Sequence, residues 1–121
     1  MAIRNVLVVD DSKTELLFLS DLLKKSGFSV TTAESAEDAL GCLEKAKPDL
    51  ILMDVVMPGT NGFQLTRKIT RDPRFADVPV IMCTSKNAET DRVWGMRQGA
   101  RDYITKPVHR TELLDKIKAL G

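Results

Sequence analysis

Two short apolar runs, each followed at once by acidic residues, constrain the fold of this chain more than any other feature. The run 6–9 leads into Asp10 and Asp11, and the run 50–53 leads into Asp54. An ionised carboxylate is expensive to bury without a partner, so these positions suit a core poorly. They suit the carboxyl ends of buried parallel strands, where an open α/β sheet forms its ligand-binding crevice.

Apolar runs alternate with amphipathic stretches along the chain, which is typical of βαβ units in a parallel sheet. The pattern predicts strands at residues 3–9, 28–32, 50–53, 80–83 and 102–105. Helices are predicted between them, the last three at about 63–70, 90–98 and 110–120. With right-handed crossovers, we expect one α/β domain over residues 1–121, a flavodoxin-like doubly wound (βα)5 sandwich with strand order 2-1-3-4-5.

Local signals mark the helix ends. Asp11 or Ser12 can cap the first helix, and Gly27 can close it. Ser35 with Asp38 resembles a capping pair at the start of the second helix.

Helix faces are predicted from the apolar spacing. Leu17 and Phe18 are expected to broaden the buried face of the first helix. In the fourth helix, Val93 and Met96 offer an apolar face and Gly95 indicates close approach to the sheet, which leaves Trp94 partly exposed. The methionines are interpreted as core residues, except that Met57 is expected to flank the site.

The predicted strand order brings distant residues to one edge. Strands one, three, four and five lie side by side, so one crevice receives Asp10, Asp11, Asp54, Thr84 and Lys106. Three neighbouring carboxylates repel one another, and a hard cation such as Mg²⁺, which prefers oxygen ligands, removes that cost. A lysine and a hydroxyl donor complete a set suited to phosphoryl transfer, in which a carboxylate can be the nucleophile.

The same residues carry a family resemblance. The chain resembles the CheY-type receiver domain of two-component response regulators over essentially its whole length. The residues that match in order and spacing are Asp10, Asp11, Asp54, Met57, Pro58, Thr84, Tyr103, Lys106 and Pro107. The stretch 93–103 is further similar to stand-alone receivers of twitching-motility chemosensory systems. The resemblance implies a signalling switch rather than a turnover enzyme.

The resemblance also implies a role for each acidic residue. Asp54 would accept a phosphoryl group from a CheA-like histidine kinase. Mg²⁺ would be ligated directly by Asp11, Asp54 and the main-chain carbonyl of Val56, and by Asp10 through water.

The remaining roles concern the switch. Lys106 would pair with the phosphoryl oxygens, and its bond to Pro107 is expected to be cis. Thr84 would move toward the phosphoryl group and Tyr103 would change rotamer with it, unless its hydroxyl simply stays in water. The face formed by helix four, strand five and helix five would control an unidentified partner.

Two residues at the mouth of the site bear on phosphoryl lifetime. Val56 is apolar and Lys86 is cationic, whereas some chemotaxis regulators carry polar or acidic side chains there. We therefore expect slow self-dephosphorylation.

Other functions of similar chemistry fit the sequence less well. A haloacid-dehalogenase-type phosphatase needs an Asp-x-Asp motif after strand one and a cap domain, whereas this chain has adjacent Asp10 and Asp11. A flavin carrier of the same fold needs a hydroxyl-rich phosphate loop there, where two carboxylates would repel the phosphate. Within the receiver family, control of a target, a phosphate sink for a shared kinase and a receiver cut from a longer regulator all stay open.

Net charge, apolar run length and cysteine content limit which partners and which cellular location we expect. The net charge of +1 gives no field that favours nucleic acid or an anionic membrane. No apolar stretch approaches the ~20 residues of a membrane helix, and the first is too short for a signal peptide, so we expect a cytoplasmic protein. Cys42 and Cys83 are expected to be free buried thiols, and with a single histidine, His109, zinc binding is not expected.

Overall fold

A five-stranded parallel sheet forms the centre of the computed structural model, which describes residues 3–120. The strand order is β2-β1-β3-β4-β5, which confirms the predicted class and order. Residues 1, 2 and 121 of the predicted domain lie outside the described residues. The elements are, in chain order, β1 (Asn5–Val9), α1 (Lys13–Lys25), β2 (Ser29–Ala33), α2 (Ala36–Lys45), β3 (Leu50–Met53), α3 (Gly62–Arg71), β4 (Val80–Thr84), α4 (Glu89–Arg97), β5 (Asp102–Thr105) and α5 (Arg110–Leu120).

Two apolar cores cover the two faces of the sheet. Side chains alternate along each strand, so in β3 Ile51 and Met53 face α2 and α3, while Leu50 and Leu52 face α1 and α5. All four are buried, as expected for a parallel strand covered on both faces. Among residues 3–120, none of the helices combines the length and apolarity that a bilayer crossing requires.

The helix ends follow the predicted signals. Ser12 is the cap of α1, because its hydroxyl accepts the N–H of Glu15 at 3.3 Å. Gly27 lies just beyond that helix with a φ of 96°. Ser35 accepts the N–H of Asp38 at 3.1 Å, which confirms the second predicted cap.

The predicted apolar face of α1 is too wide. Leu17 and Phe18 are exposed, whereas the buried stripe is Leu16, Leu19, Leu22 and Leu23. Each residue turns by about 100° around a helix, so Leu17 and Phe18, about 100° and 200° on from buried Leu16, lie outside that stripe.

The prediction for α4 is wrong in a similar way. Val93 and Met96 are exposed, and Gly95 is the buried residue of this helix. Trp94 is 48% exposed, as predicted. Met96 is therefore not a core residue, although Met53 and Met82 are buried as expected. Met57, which is expected to flank the site, is buried as well. Cys83 is buried and Cys42 only partly so, and both thiols are free.

The loop after β3 returns closely to its own start. Asn61 caps α3 through reciprocal hydrogen bonds with Gln64. The N–H of Gly62 donates to the carbonyl of Val55 at 2.9 Å. A Cβ at position 62 would overlap the carbonyl oxygen of Asp54 and stand 2.8 Å from its carbonyl carbon, so only glycine fits without a backbone shift.

We expect Gly62→Ala to lower the free energy of unfolding by about 1–3 kcal/mol or more, because the added methyl meets backbone that cannot rotate away. Gly41→Ala is the matched control, since an added Cβ there meets nothing within 4 Å. That change within α2 should instead stabilise by roughly 0.5–1 kcal/mol. Urea denaturation of both variants checks this, and a Gly62→Ala protein as stable as the unsubstituted chain would contradict it.

Candidate functional site

Strand register places the acidic residues next to one another. Val9 pairs with Met53 at the ends of β1 and β3, so Asp10 and Asp54 follow at the same level. The N–H of Asp54 also donates to the carbonyl of Val9 at 2.9 Å. One carboxylate oxygen from each of Asp10, Asp11 and Asp54 lies within 4.8 Å of the other two. The predicted acidic cluster is therefore present.

Lys106 reaches this cluster from the end of β5. Its N–H donates to the carbonyl of Thr84 at 2.9 Å, which fixes its backbone at the end of β4. Its Nζ lies 2.6 Å from Oδ2 of Asp10 and 3.7 Å from Oδ1 of Asp54. Asp10 is only 2% exposed, so this ion pair supplies the partner that a buried carboxylate needs. The Lys106–Pro107 bond is cis, as the resemblance implies.

The three carboxylates differ in their hydrogen bonding and in their exposure to solvent. Asp10 is held through both oxygens, because Oδ1 accepts the N–H of Ser12 at 2.9 Å and Oδ2 pairs with Lys106. Asp54 accepts the N–H of Val55 at 2.9 Å on Oδ1. Asp11 is exposed. Oxygen atoms alone make up this set, and such a set fits Mg²⁺.

Burial and neighbouring charges shift the pKa values of Asp54 and Lys106. Burial and the nearby charge of Asp10 raise the pKa of Asp54, and Lys106, the Thr84 hydroxyl and the Val55 N–H offset only part of this rise. Burial alone would lower the pKa of Lys106, but the hydrogen bond to Asp10 and the charges of Asp54 and Asp10 leave it raised. Lys106 therefore stays cationic, while ionised Asp54 is destabilised in its own site.

The two predicted switch residues are linked through one backbone residue. Thr84 is fully buried, and its Oγ1 accepts the N–H of Lys86 at 3.3 Å. Tyr103 is buried as well, and its hydroxyl donates to the carbonyl of Lys86 at 2.7 Å. The alternative in which the Tyr103 hydroxyl simply lies in water is therefore wrong for this structure. Any displacement of the Lys86 backbone affects both side chains.

The two residues predicted to flank the mouth of the site are exposed. Val56 is 52% exposed, and Lys86 is exposed on the neighbouring loop. The role of the Val56 carbonyl as a metal ligand stays a prediction. Cys83, beside Thr84 on β4, is fully buried, and burial raises the pKa of its thiol to about 12, so it stays protonated at neutral pH.

Sequence reasoning missed contacts that depend on backbone atoms or on packing. It did not identify the Val55 N–H that holds Asp54, the Lys86 carbonyl that holds Tyr103, or the approach of Gly62 to Asp54. The one local signal at this position is the Asn61–Gly62 dipeptide, a pair typical of a change in chain direction. Backbone donors and acceptors occur at every residue, so residue type carries no signal for them.

Comparison with known proteins gives a consistent result. Residues 6–118 match the family model for the response regulator receiver domain. Protein PilH of Pseudomonas aeruginosa is 51% identical over 115 residues, which cover 95% of each chain. The phosphate regulon transcriptional regulatory protein PhoB of the same organism is 38% identical over 117 residues, covering 97% of this chain but only 51% of PhoB. The solved structure of chemotaxis protein CheY4 of Vibrio cholerae aligns with a TM-score of 0.92 at 29% identity, over 99% of this chain and 100% of CheY4.

Asp54→Asn is expected to raise the free energy of unfolding at neutral pH without divalent cations. A carboxyl group whose pKa is raised by folding binds more protons in the folded state, so stability falls as pH rises from the unfolded pKa through the folded one. The gain should therefore disappear below the ordinary pKa of 3.8. Urea denaturation from acidic to neutral pH in a chelating buffer tests this, with exposed Asp115→Asn as control. Lower stability of Asp54→Asn at neutral pH would contradict it.

Proposed function

Because the chain belongs to the response regulator receiver domain family, we propose that it is a phosphorylation-dependent signalling switch whose acceptor is Asp54. The observation that carries the proposal is the convergence of Asp10, Asp11, Asp54 and Lys106 at one edge of the sheet. The switch is phosphorylated and dephosphorylated in turn and does not turn over a separate substrate.

The phosphoryl donor is the phosphohistidine of a histidine kinase. A carboxylate oxygen of Asp54 attacks the phosphorus, the phosphorus–nitrogen bond breaks as the oxygen–phosphorus bond forms, and the imidazole leaves. Since Val55 holds Oδ1, we assign Oδ2 as the nucleophile. Nζ of Lys106, 3.7 Å from Asp54, is close enough to pair with oxygens of the attached group.

The acidic cluster is the proposed Mg²⁺ site. Asp11, Asp54 and the main-chain carbonyl of Val56 would hold the ion directly. Asp10, whose two oxygens accept hydrogen bonds from Ser12 and Lys106, would act through water. The ion supplies positive charge to the phosphoryl oxygens and relieves the repulsion between the carboxylates.

Thr84 and Tyr103 transmit the change. A phosphoryl group at Asp54 offers the Thr84 hydroxyl a charged acceptor, and such a hydrogen bond is worth about 1.5–3 kcal/mol. A difference of that size shifts two closely balanced states by about tenfold or more. The backbone of Lys86, bonded to both side chains, carries the movement from Thr84 to Tyr103.

The proposed output surface is the face formed by α4, β5 and α5. On α4, the apolar side chains of Val93, Trp94 and Met96 are all exposed, and Val93 and Met96, three residues apart, are neighbours on the helix surface. Exposed apolar and aromatic side chains of this kind suit contact with a partner protein. Similarity to PilH supports chemotaxis-like signalling, including twitching motility, with a CheA-like kinase in the cytoplasm. No contact with nucleic acid and no membrane insertion are part of this proposal.

Pull-down experiments distinguish control of a target protein from action as a phosphate sink. Pull-downs with unphosphorylated and beryllofluoride-treated protein recover a state-dependent target if the chain controls one. If the pull-downs recover only the kinase, and the chain speeds the loss of phosphate from a second regulator of that kinase, the chain is a phosphate sink. Because the chain spans about half the length of PhoB, a receiver from a longer regulator is the remaining alternative.

Mg²⁺ followed by beryllofluoride, which mimics an attached phosphoryl group, should change the fluorescence of Trp94, the only tryptophan, in a saturable way. Asp54→Ala should abolish the change, and Asp11→Asn should raise the Mg²⁺ concentration needed, whereas exposed Asp115→Asn should not. Intact-mass measurement after phosphoramidate treatment checks the covalent step directly. Phosphorylation of Asp54→Ala to the same extent would refute Asp54 as the acceptor.

The combined change Val56→Asn and Lys86→Glu should shorten the phosphoryl lifetime roughly tenfold or more, because an oriented acid–base group can position the hydrolysing water. Both positions are exposed at the mouth of the site, so the folded structure tolerates polar side chains there. Loss of radiolabelled phosphate over time gives the lifetime, with Val56→Leu and Lys86→Arg as control. An unchanged lifetime would refute the idea.

A further inference from the structure

Helix α4 is attached to the sheet by few side chains. Of its nine residues, Glu89–Arg97, only Gly95 is buried. A Cβ at position 95 would stand 3.3 Å from the ring of Tyr103 and 3.4 Å from that of Phe63. The helix backbone therefore rests directly on Tyr103, and the position of this ring affects the seating of α4.

A second residue of α4 holds the same ring. The guanidinium carbon of Arg92 lies 5.3 Å from the ring centroid of Tyr103. Its Nη2 donates to the hydroxyl of Thr105 at 3.4 Å, which keeps the side chain directed toward β5. A cation within about 6 Å of an aromatic face is attracted to it. Arg92 is thus exposed to solvent and yet placed over the buried tyrosine.

We propose that Arg92 is a positioning residue for the switch, which holds the ring of Tyr103 in its buried position and couples that ring to α4 before any phosphoryl group is attached. The inference deepens the proposed function, on which its meaning for signalling rests. The hydroxyl of Tyr103 is held by the Lys86 carbonyl, and its ring is held by Gly95 and Arg92.

The electrostatics around the ring agree with this arrangement. Burial raises the pKa of Tyr103 to about 12, with the charge of Asp91 adding to the rise and that of Arg92 opposing it. The phenol therefore stays protonated at neutral pH and continues to donate to Lys86. Release of the ring would free α4 and move its exposed Val93, Trp94 and Met96.

Arg92→Ala and Arg97→Ala form a matched pair that tests the proposal. Both remove an arginine from the same exposed helix, but only Arg92 lies over Tyr103. Arg97 lies in the last turn, where its charge interacts favourably with the helix dipole, so both variants are measured at high ionic strength, which screens that interaction. In Arg92→Ala, amide hydrogen exchange within α4 should be about two- to fivefold faster, as expected from losing an exposed cation–π contact. In Arg97→Ala it should stay unchanged.

A second readout follows the ring itself. Tyr103 is the only tyrosine, so 3-fluorotyrosine gives one fluorine resonance that reports its environment. That resonance should move toward the solvent-exposed shift in Arg92→Ala and in Gly95→Ala, and less in Arg92→Lys, which keeps the charge but not the planar group. Sheet amide spectra confirm that each variant is folded.

Equal exchange rates and equal fluorine shifts in Arg92→Ala and Arg97→Ala would overturn the proposal. The measurements use protein without Mg²⁺ or a phosphoryl donor. A failure of Asp54 to accept phosphate would therefore leave this result standing, and a null result here would leave the phosphorylation proposal intact.

Discussion

The ion pair between Lys106 and Asp10 is the interaction on which the rest of the site depends. These residues follow β5 and β1, and the strand order that brings them together also brings Asp54 and Thr84 between them. A carboxylate as buried as Asp10 needs an opposite charge, and here the partner is 96 residues away in sequence. The fold therefore holds the lysine beside the acidic cluster before any ligand is present.

That ion pair neutralises the charge of Asp10 but compensates the charge of Asp54 only in part. Lys106 is closer to Asp10 than to Asp54, and the pKa of Asp54 stays raised by burial and by the charge of Asp10. Groups whose pKa is raised by burial and by a neighbouring like charge occur often at functional sites. The site loses stability when Asp54 ionises, and the same unfavourable energy favours binding of a cation.

The sequence predicts much of this structure because the relevant signals are local. Apolar periodicity marks the strands, and residues that directly follow strands, such as Asp54 and Lys106, have their positions set by topology. Orientation around a helix is less local. Leu17 and Met96 are apolar but exposed, because the sheet, not residue type, selects the buried stripe of each helix. Contacts through backbone, such as those of Lys86, leave no pattern at all.

The proposed link between the acidic site and the exposed surface of α4 lies in β5 and α4. Lys86 accepts from Tyr103 through its carbonyl and donates to Thr84 through its N–H, so neither side chain moves without consequence for the other. α4 buries only a glycine of its own, so the ring of Tyr103 fills the space that a larger helix residue would otherwise occupy. If the ring of Tyr103 moves as proposed, a helix seated on it can be displaced at lower cost than one anchored by its own core residues. Under the proposed function, a change at Asp54 would reach the exposed side chains of α4 through Thr84, the backbone of Lys86 and Tyr103.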